Sequence, residues 1–202
     1  DKGFPALCGL GKLPDPSFFY RFLQGVKTRG AEDFIVECSK KFVETGLNRG
    51  RVVNLDGKFL GYFGKKKIGK TKHPTRNIVL PGLNVFAVQD QETRNPLFLR
   101  VRYPGLKAID VGIPLLERTM EIVGEGQLEK VIWDRWFSVG ALLNYLDKYM
   151  DLKYVTILRM HQNRIEEMKE IPLSEFRTMA DGRQVAFKNT DLRNYEGTSK
   201  LI

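Results

Sequence analysis

The stretch Val131-Ile132-Trp133-Asp134-Arg135-Trp136-Phe137 constrains this chain more than any other. Three apolar residues run into one carboxylate, and a helical pattern follows from Ser138 to Tyr149. Such a run reads as a buried strand that delivers Asp134 at its C-terminal end, the side of an open α/β sheet where ligands and chemistry collect. Arg51-Val52-Val53-Asn54-Leu55-Asp56-Gly57 has the same shape. If the two strands are neighbours, Asp56 and Asp134 stand side by side. Two local alternatives stay open from the residues alone. Asp56 can be a turn residue before Gly57 and Asp134 a helix N-cap, because Asp is common in both roles.

The remaining periodicity decides where those strands fall. Asp15 and Pro16 start a helix with Phe18, Phe19, Phe22, Leu23 and Val26 as its apolar stripe. Ala31 to Thr45 repeats the pattern through Phe34, Ile35, Cys38, Phe42 and Val43, with Gly46 as a C-cap. The two helices make an N-terminal segment over 1–48, either a small DNA-binding appendage or a pair packed on the downstream sheet. Strands are predicted over 51–62, over 76–80 or 83–88, and over 96–103, with the polar run Asp90 to Pro96 as a hairpin turn. A helix over 113–123, a strand over 128–134, the helix 138–149 and a strand over 154–160 complete a core spanning 49–160. Residues 161–202 are expected to be an irregular tail or the start of an insertion. The class is α/β. A mixed sheet ordered 3-2-1-4-5 makes strands one and four parallel neighbours with a right-handed crossover. Asp56 and Asp134 are then within reach of a shared divalent ion. Hard cations such as Mg²⁺ take oxygen ligands, and a metal pair about 3.5–4 Å apart clamps both oxygens of a phosphoryl displacement.

Charge points to the partner. Thirty-three Lys and Arg against 24 Asp and Glu leave a net charge of +9, which favours a polyanion, most often nucleic acid. The densest positive run is Lys65, Lys66, Lys67, Lys70, Lys72 and Arg76, suited to phosphate contacts or simply to a solvated loop. Two cysteines, Cys8 and Cys38, and two histidines, His73 and His161, make neither a disulfide framework nor a zinc-finger spacing, so a reducing compartment is expected. No apolar run nears the ~20 residues that span a bilayer, and no membrane partner is expected. The start at Asp1 without Met suggests a fragment. Gly64-Lys65-Lys66-Lys67-Ile68-Gly69-Lys70-Thr71 also spells the P-loop string, which would make the chain a nucleotide hydrolase. A P-loop must open a helix, yet Lys72-His73-Pro74 comes next, and Pro74 biases His73 away from helix.

Several of these runs resemble a known family when taken together. Asp56-Gly57-Lys58-Phe59, Tyr62 to Lys70, Arg76, Pro81-Gly82 and Asn95-Pro96-Leu97 resemble the first half of the catalytic domain of DDE-type insertion-sequence transposases. Val131 to Phe137 resembles that family's second-acid strand, and Leu13 to Leu23 the segment before the catalytic domain. The resemblance covers roughly 13–160. It implies a ribonuclease-H-like fold, flanking helices, and cut-and-join chemistry on double-stranded DNA at transposon ends and target, with Mg²⁺ or Mn²⁺ as cofactor. It further implies Asp56 and Asp134 as the first two metal-holding catalytic acids, a homodimer on DNA, and a prokaryotic, cytoplasmic, chromosome-associated setting. The family's third acid, usually a Glu near a Tyr, Arg and Lys at set spacing, has no match here. Glu166, Glu167, Glu170 and Glu175 lack that context. Either the chain stops before the third acid or it is a non-catalytic, DNA-binding remnant.

Overall fold

In the computed structural model, residues 15–17, 21, 25, 28–65, 67–72, 78–157, 162–197 and 199–201 are described. The N-terminal stripe residues Phe18, Phe19, Phe22, Leu23 and Val26 lie outside these, as do Cys8, Lys66, His73, Arg76, His161 and the end of the strand expected to reach 160. The first long helix, α1, is Thr28–Glu44. Of the expected stripe, Ile35, Cys38 and Val43 are half-buried but Phe34 and Phe42 are exposed. The face that meets the core is rotated to Val36 and Ser39, and Ser39 Oγ donates to the Leu97 carbonyl at 2.6 Å. The helix therefore lies on the sheet.

Strand β1 is Val52–Gly61, β2 Lys70–Lys72, β3 Val79–Asp90 and β4 Pro96–Arg102. β1 and β4 each pair antiparallel with β3, on its two edges. β2 pairs with Val79, Leu80 and Pro81 at the start of β3. The predicted alternatives 76–80 and 83–88 merge where described into one 12-residue strand running through Pro81-Gly82. Pro81 is tolerated because β1 ends there: Pro81 accepts the last bond from Tyr62 N–H at 2.9 Å and has no N–H to give.

Helix α2, Ala108–Val123, begins five residues before the expected Ile113. Pro114 sits inside it, so the proline does not mark the start. Burial of Ala108 and Val111 and a bond from Lys107 N–H to the Asp110 carboxylate (3.3 Å) extend the helix backwards. β5, Lys130–Trp133, then pairs parallel with β1, and β6, Lys153–Thr156, pairs parallel with β5. Between them, α3 is Gly140–Tyr145, continued by one wider turn, Leu146–Met150. The result is a mixed α/β sheet with helices against one face. That face buries Val53 and Leu55 of β1, Phe86 and Val88 of β3, and Val131 and Trp133 of β5. In the stretch expected to be an irregular tail or the start of an insertion, α4 forms over Gln162–Lys169, and Leu192 and Tyr195 pack back on the core. No described helix is long and apolar enough to cross a membrane.

Candidate metal and nucleic-acid site

The two acids arrive by the same local rule. In β1, Val53 and Leu55 turn into the core, so alternation turns Asp56 to the opposite face. In β5, Val131 and Trp133 turn in, and Asp134 follows. The parallel register pairs Val53 with Val131 and ends with Leu55 opposite Trp133. Asp56 and Asp134 are thus each one residue past the same pair, and the inter-strand spacing of about 4.8 Å sets the scale of their separation. Both are exposed, and neither forms an ion pair among the described residues.

Their local settings exclude the two simpler roles. Asp56 lies within β1, opposite Ala87, so it is not a turn residue. Its Oδ1 accepts the Gly57 N–H at 2.8 Å. Asp134 is not the N-cap of α3, because that position is Val139. Instead Asp134 opens a tight turn: its Oδ1 accepts the Trp136 N–H at 2.9 Å and its carbonyl accepts the Phe137 N–H at 3.2 Å. Thr156 Oγ1 on β6 donates to the Asp134 carbonyl at 3.3 Å and is in turn hydrogen-bonded to Ser138 Oγ.

An aromatic layer that sequence patterning missed links the residue after Asp56 to the turn after Asp134. Gly57 is registered against Phe86, and a Cβ at Gly57 would stand 2.9 Å from the Phe86 ring. Phe86 stacks on Trp136 with centroids 5.4 Å apart, and Trp136 meets Phe137 edge-on at 4.7 Å. One ring therefore touches both the residue after Asp56 and the turn that holds Asp134. The signal available in the sequence was Trp136-Phe137 directly after the acid, but ring stacking across strands is a tertiary fact.

Among the described residues no group of three His, Cys, Asp or Glu side chains is placed to hold a metal, so none of the later glutamates joins Asp56 and Asp134. The basic segment is split. Lys65, Lys67 and Lys70 are described and exposed; the side chain of Lys72 lies outside the described set, as do Lys66 and Arg76. Gly69-Lys70-Thr71 runs into β2 and not into a helix, which argues against the P-loop alternative: among the described residues no helix N-terminus follows it to cradle a phosphate.

No protein-family profile matches the chain, and no curated protein matches it. Several solved structures do. A piggyBac transposase synaptic complex with hairpin DNA aligns over 66% of this chain and 29% of its own, with 18% identity and a TM-score of 0.44. A Drosophila P element transposase strand transfer complex aligns over 86% and 40%, with 11% identity and a TM-score of 0.41. A Mos1 mariner paired end complex with Mn aligns over 67% and 54%, with 12% identity and a TM-score of 0.34. The aligned parts span well under two thirds of each of these chains. None of the three is named as an insertion-sequence transposase.

Proposed function

We propose that this chain is the metal-binding part of a DNA-processing enzyme of the transposase type, with Asp56 and Asp134 as two of its metal-holding acids. The observation that supports it most is the shared register: both carboxylates stand one residue beyond the Leu55–Trp133 pair of adjacent parallel strands. An antiparallel meander followed by two parallel strands is also what a ribonuclease-H-like sheet requires, and we read the fold as such. The donor set suits a divalent ion. Mg²⁺ is commonly held by one or two carboxylates, keeps several waters, and takes its remaining oxygens from substrate phosphates. Asp56 and Asp134 would hold such an ion, which would supply activation of an attacking water or 3′-hydroxyl and stabilisation of the leaving oxygen. The chain's own part is to fix the two carboxylates through β1, β5 and the Phe86–Trp136 stack. The exposed lysines 65, 67 and 70 hold the duplex through its phosphates. The partners under this proposal are double-stranded transposon ends and target DNA, engaged by a homodimer.

A second reading, a DNA-binding remnant without cleavage, is favoured by one observation: no third acid joins the pair among the described residues. Thermal melts with Mg²⁺ or Mn²⁺ test the metal site. Two nearby carboxylates repel, and an ion that binds only the folded state stabilises it. A small rise in melting temperature at millimolar metal is expected, and its loss in both Asp56→Asn and Asp134→Asn. No rise, or a rise kept in both variants, rejects the site. A nicking assay with Asp134→Asn as control then separates the enzyme from the remnant.

A further inference from the structure

Beyond Asp56, β1 leaves the core. It runs five more residues to Gly61, about 17 Å at strand rise. With the start of β3 and with β2 it forms a three-stranded arm. Between Asp56 and Asp90 there is no acidic residue, and the same stretch holds six lysines and one arginine. At the crossing from β1 to β2 sits Phe63. It is 93% exposed, more than any other large apolar residue described. Its ring lies across Gly61: a Cβ there would stand 3.3 Å from Phe63 Cε2. Exposed Lys65 and Lys67 follow it at once, and exposed Lys58 precedes it on β1. A phenylalanine left in water forgoes the free energy of burying its apolar surface, which favours covering it with a partner.

We propose that Phe63 is a stacking platform for an unpaired nucleobase, with the lysines beside it holding the flanking phosphates. A ring face framed by cations is the recurring way to grip single-stranded nucleic acid, because every base offers a π-face and every linkage a charge. The all-basic frame argues against a basic peptide as the occupant. The site rests on the nucleic-acid partner proposed above. It adds a substrate feature that partner does not require, a stretch of unpaired strand about 17 Å along β1 from Asp56.

Fluorescence titration of the 202-residue chain with two oligonucleotides tests this. One is a blunt duplex; the other has a single-stranded overhang carrying 2-aminopurine. Phe63→Ala is expected to weaken overhang binding about 5- to 160-fold, the range of one base–aromatic stack. It should leave blunt-duplex binding and the salt slope unchanged. Phe63→Trp should restore affinity, with its indole emission quenched on binding. Circular dichroism confirms that the variants fold. Equal losses on both substrates, or no loss on the overhang, overturn the platform and leave the duplex-binding proposal standing. Wild-type protein that binds neither oligonucleotide overturns both. Phe63-dependent binding to vesicles of anionic phospholipid, without binding to the overhang, reassigns the ring to a membrane surface and overturns the platform.

Discussion

Asp90 shows how much one side chain can fix in this fold. It is fully buried at the end of β3, and its carboxylate accepts four backbone N–H groups. Arg49 and Gly50 donate to Oδ2 at 2.6 Å each, and Glu92 and Thr93 to Oδ1 at 2.8 and 3.0 Å. The carboxylate ties the start of β1 to the β3–β4 turn. Burial pushes its pKa up, but the donors outweigh burial and hold the carboxyl below its ordinary range. A folded pKa below the unfolded value of about 3.9 gives stability that is complete above that pH and is lost as pH falls through the folded value. Asp90→Asn is therefore expected to cost about 1.5–3 kcal/mol at pH 7, the worth of hydrogen bonds to a charged group. The cost should be smaller near pH 3. Urea melts at both pH values check it, and an equal cost at both would count against the charged role. The neighbouring placement of Asp56 and Asp134 was legible at this scale because each follows an apolar run of a strand. Asp90 was not: in sequence it is one more polar turn residue, and its four donors come from two separate loops.

Elements with a clear period were legible. The alternation in β1 and β5 needed no tertiary information, whereas the stripe read for α1 was turned off the core: Phe34 and Phe42 are exposed and Val36 is buried. Misplaced boundaries trace to local signals that burial overrode. The apolar period places the helix start at Ile113, yet α2 reaches back to Ala108 because Ala108 and Val111 are buried. Pro81-Gly82 reads as a break, yet β3 passes through it because that proline needs no partner there. Contacts between distant segments were invisible altogether. Gly140 opens α3 against the backbone of the tail, where a Cβ would stand 2.3 Å from the Asn194 carbonyl oxygen. The Asn144 side chain donates to that same carbonyl, and Tyr195 reaches Asp147 at 2.5 Å. Gly140→Ala is expected to lift 192–196 off α3 at a cost of about 1–3 kcal/mol, as other overpacked sites do. Brief trypsin digestion should then cut after Arg193 faster than in wild type while the β1–β5 core stays intact. Unchanged cleavage there would mean the tail is held elsewhere.

For the whole molecule, the net charge of +9 is distributed unevenly, and the arm carries much of it. Replacing Lys65, Lys67 and Lys70 by alanine is expected to weaken duplex binding across all sequences. It should also reduce the slope of log K against log salt by about 0.9 for each phosphate no longer neutralised. A filter-binding series over several salt concentrations measures this, and a slope that does not move would make these lysines a solvated surface. The unbroken β3 also has a mechanical consequence. One strand, β3, belongs to both arm and core, and the same strand seats Phe86 against Gly57 and Trp136. A load on the arm's tip is therefore expected to reach the aromatic layer that lies beside Gly57 and Trp136.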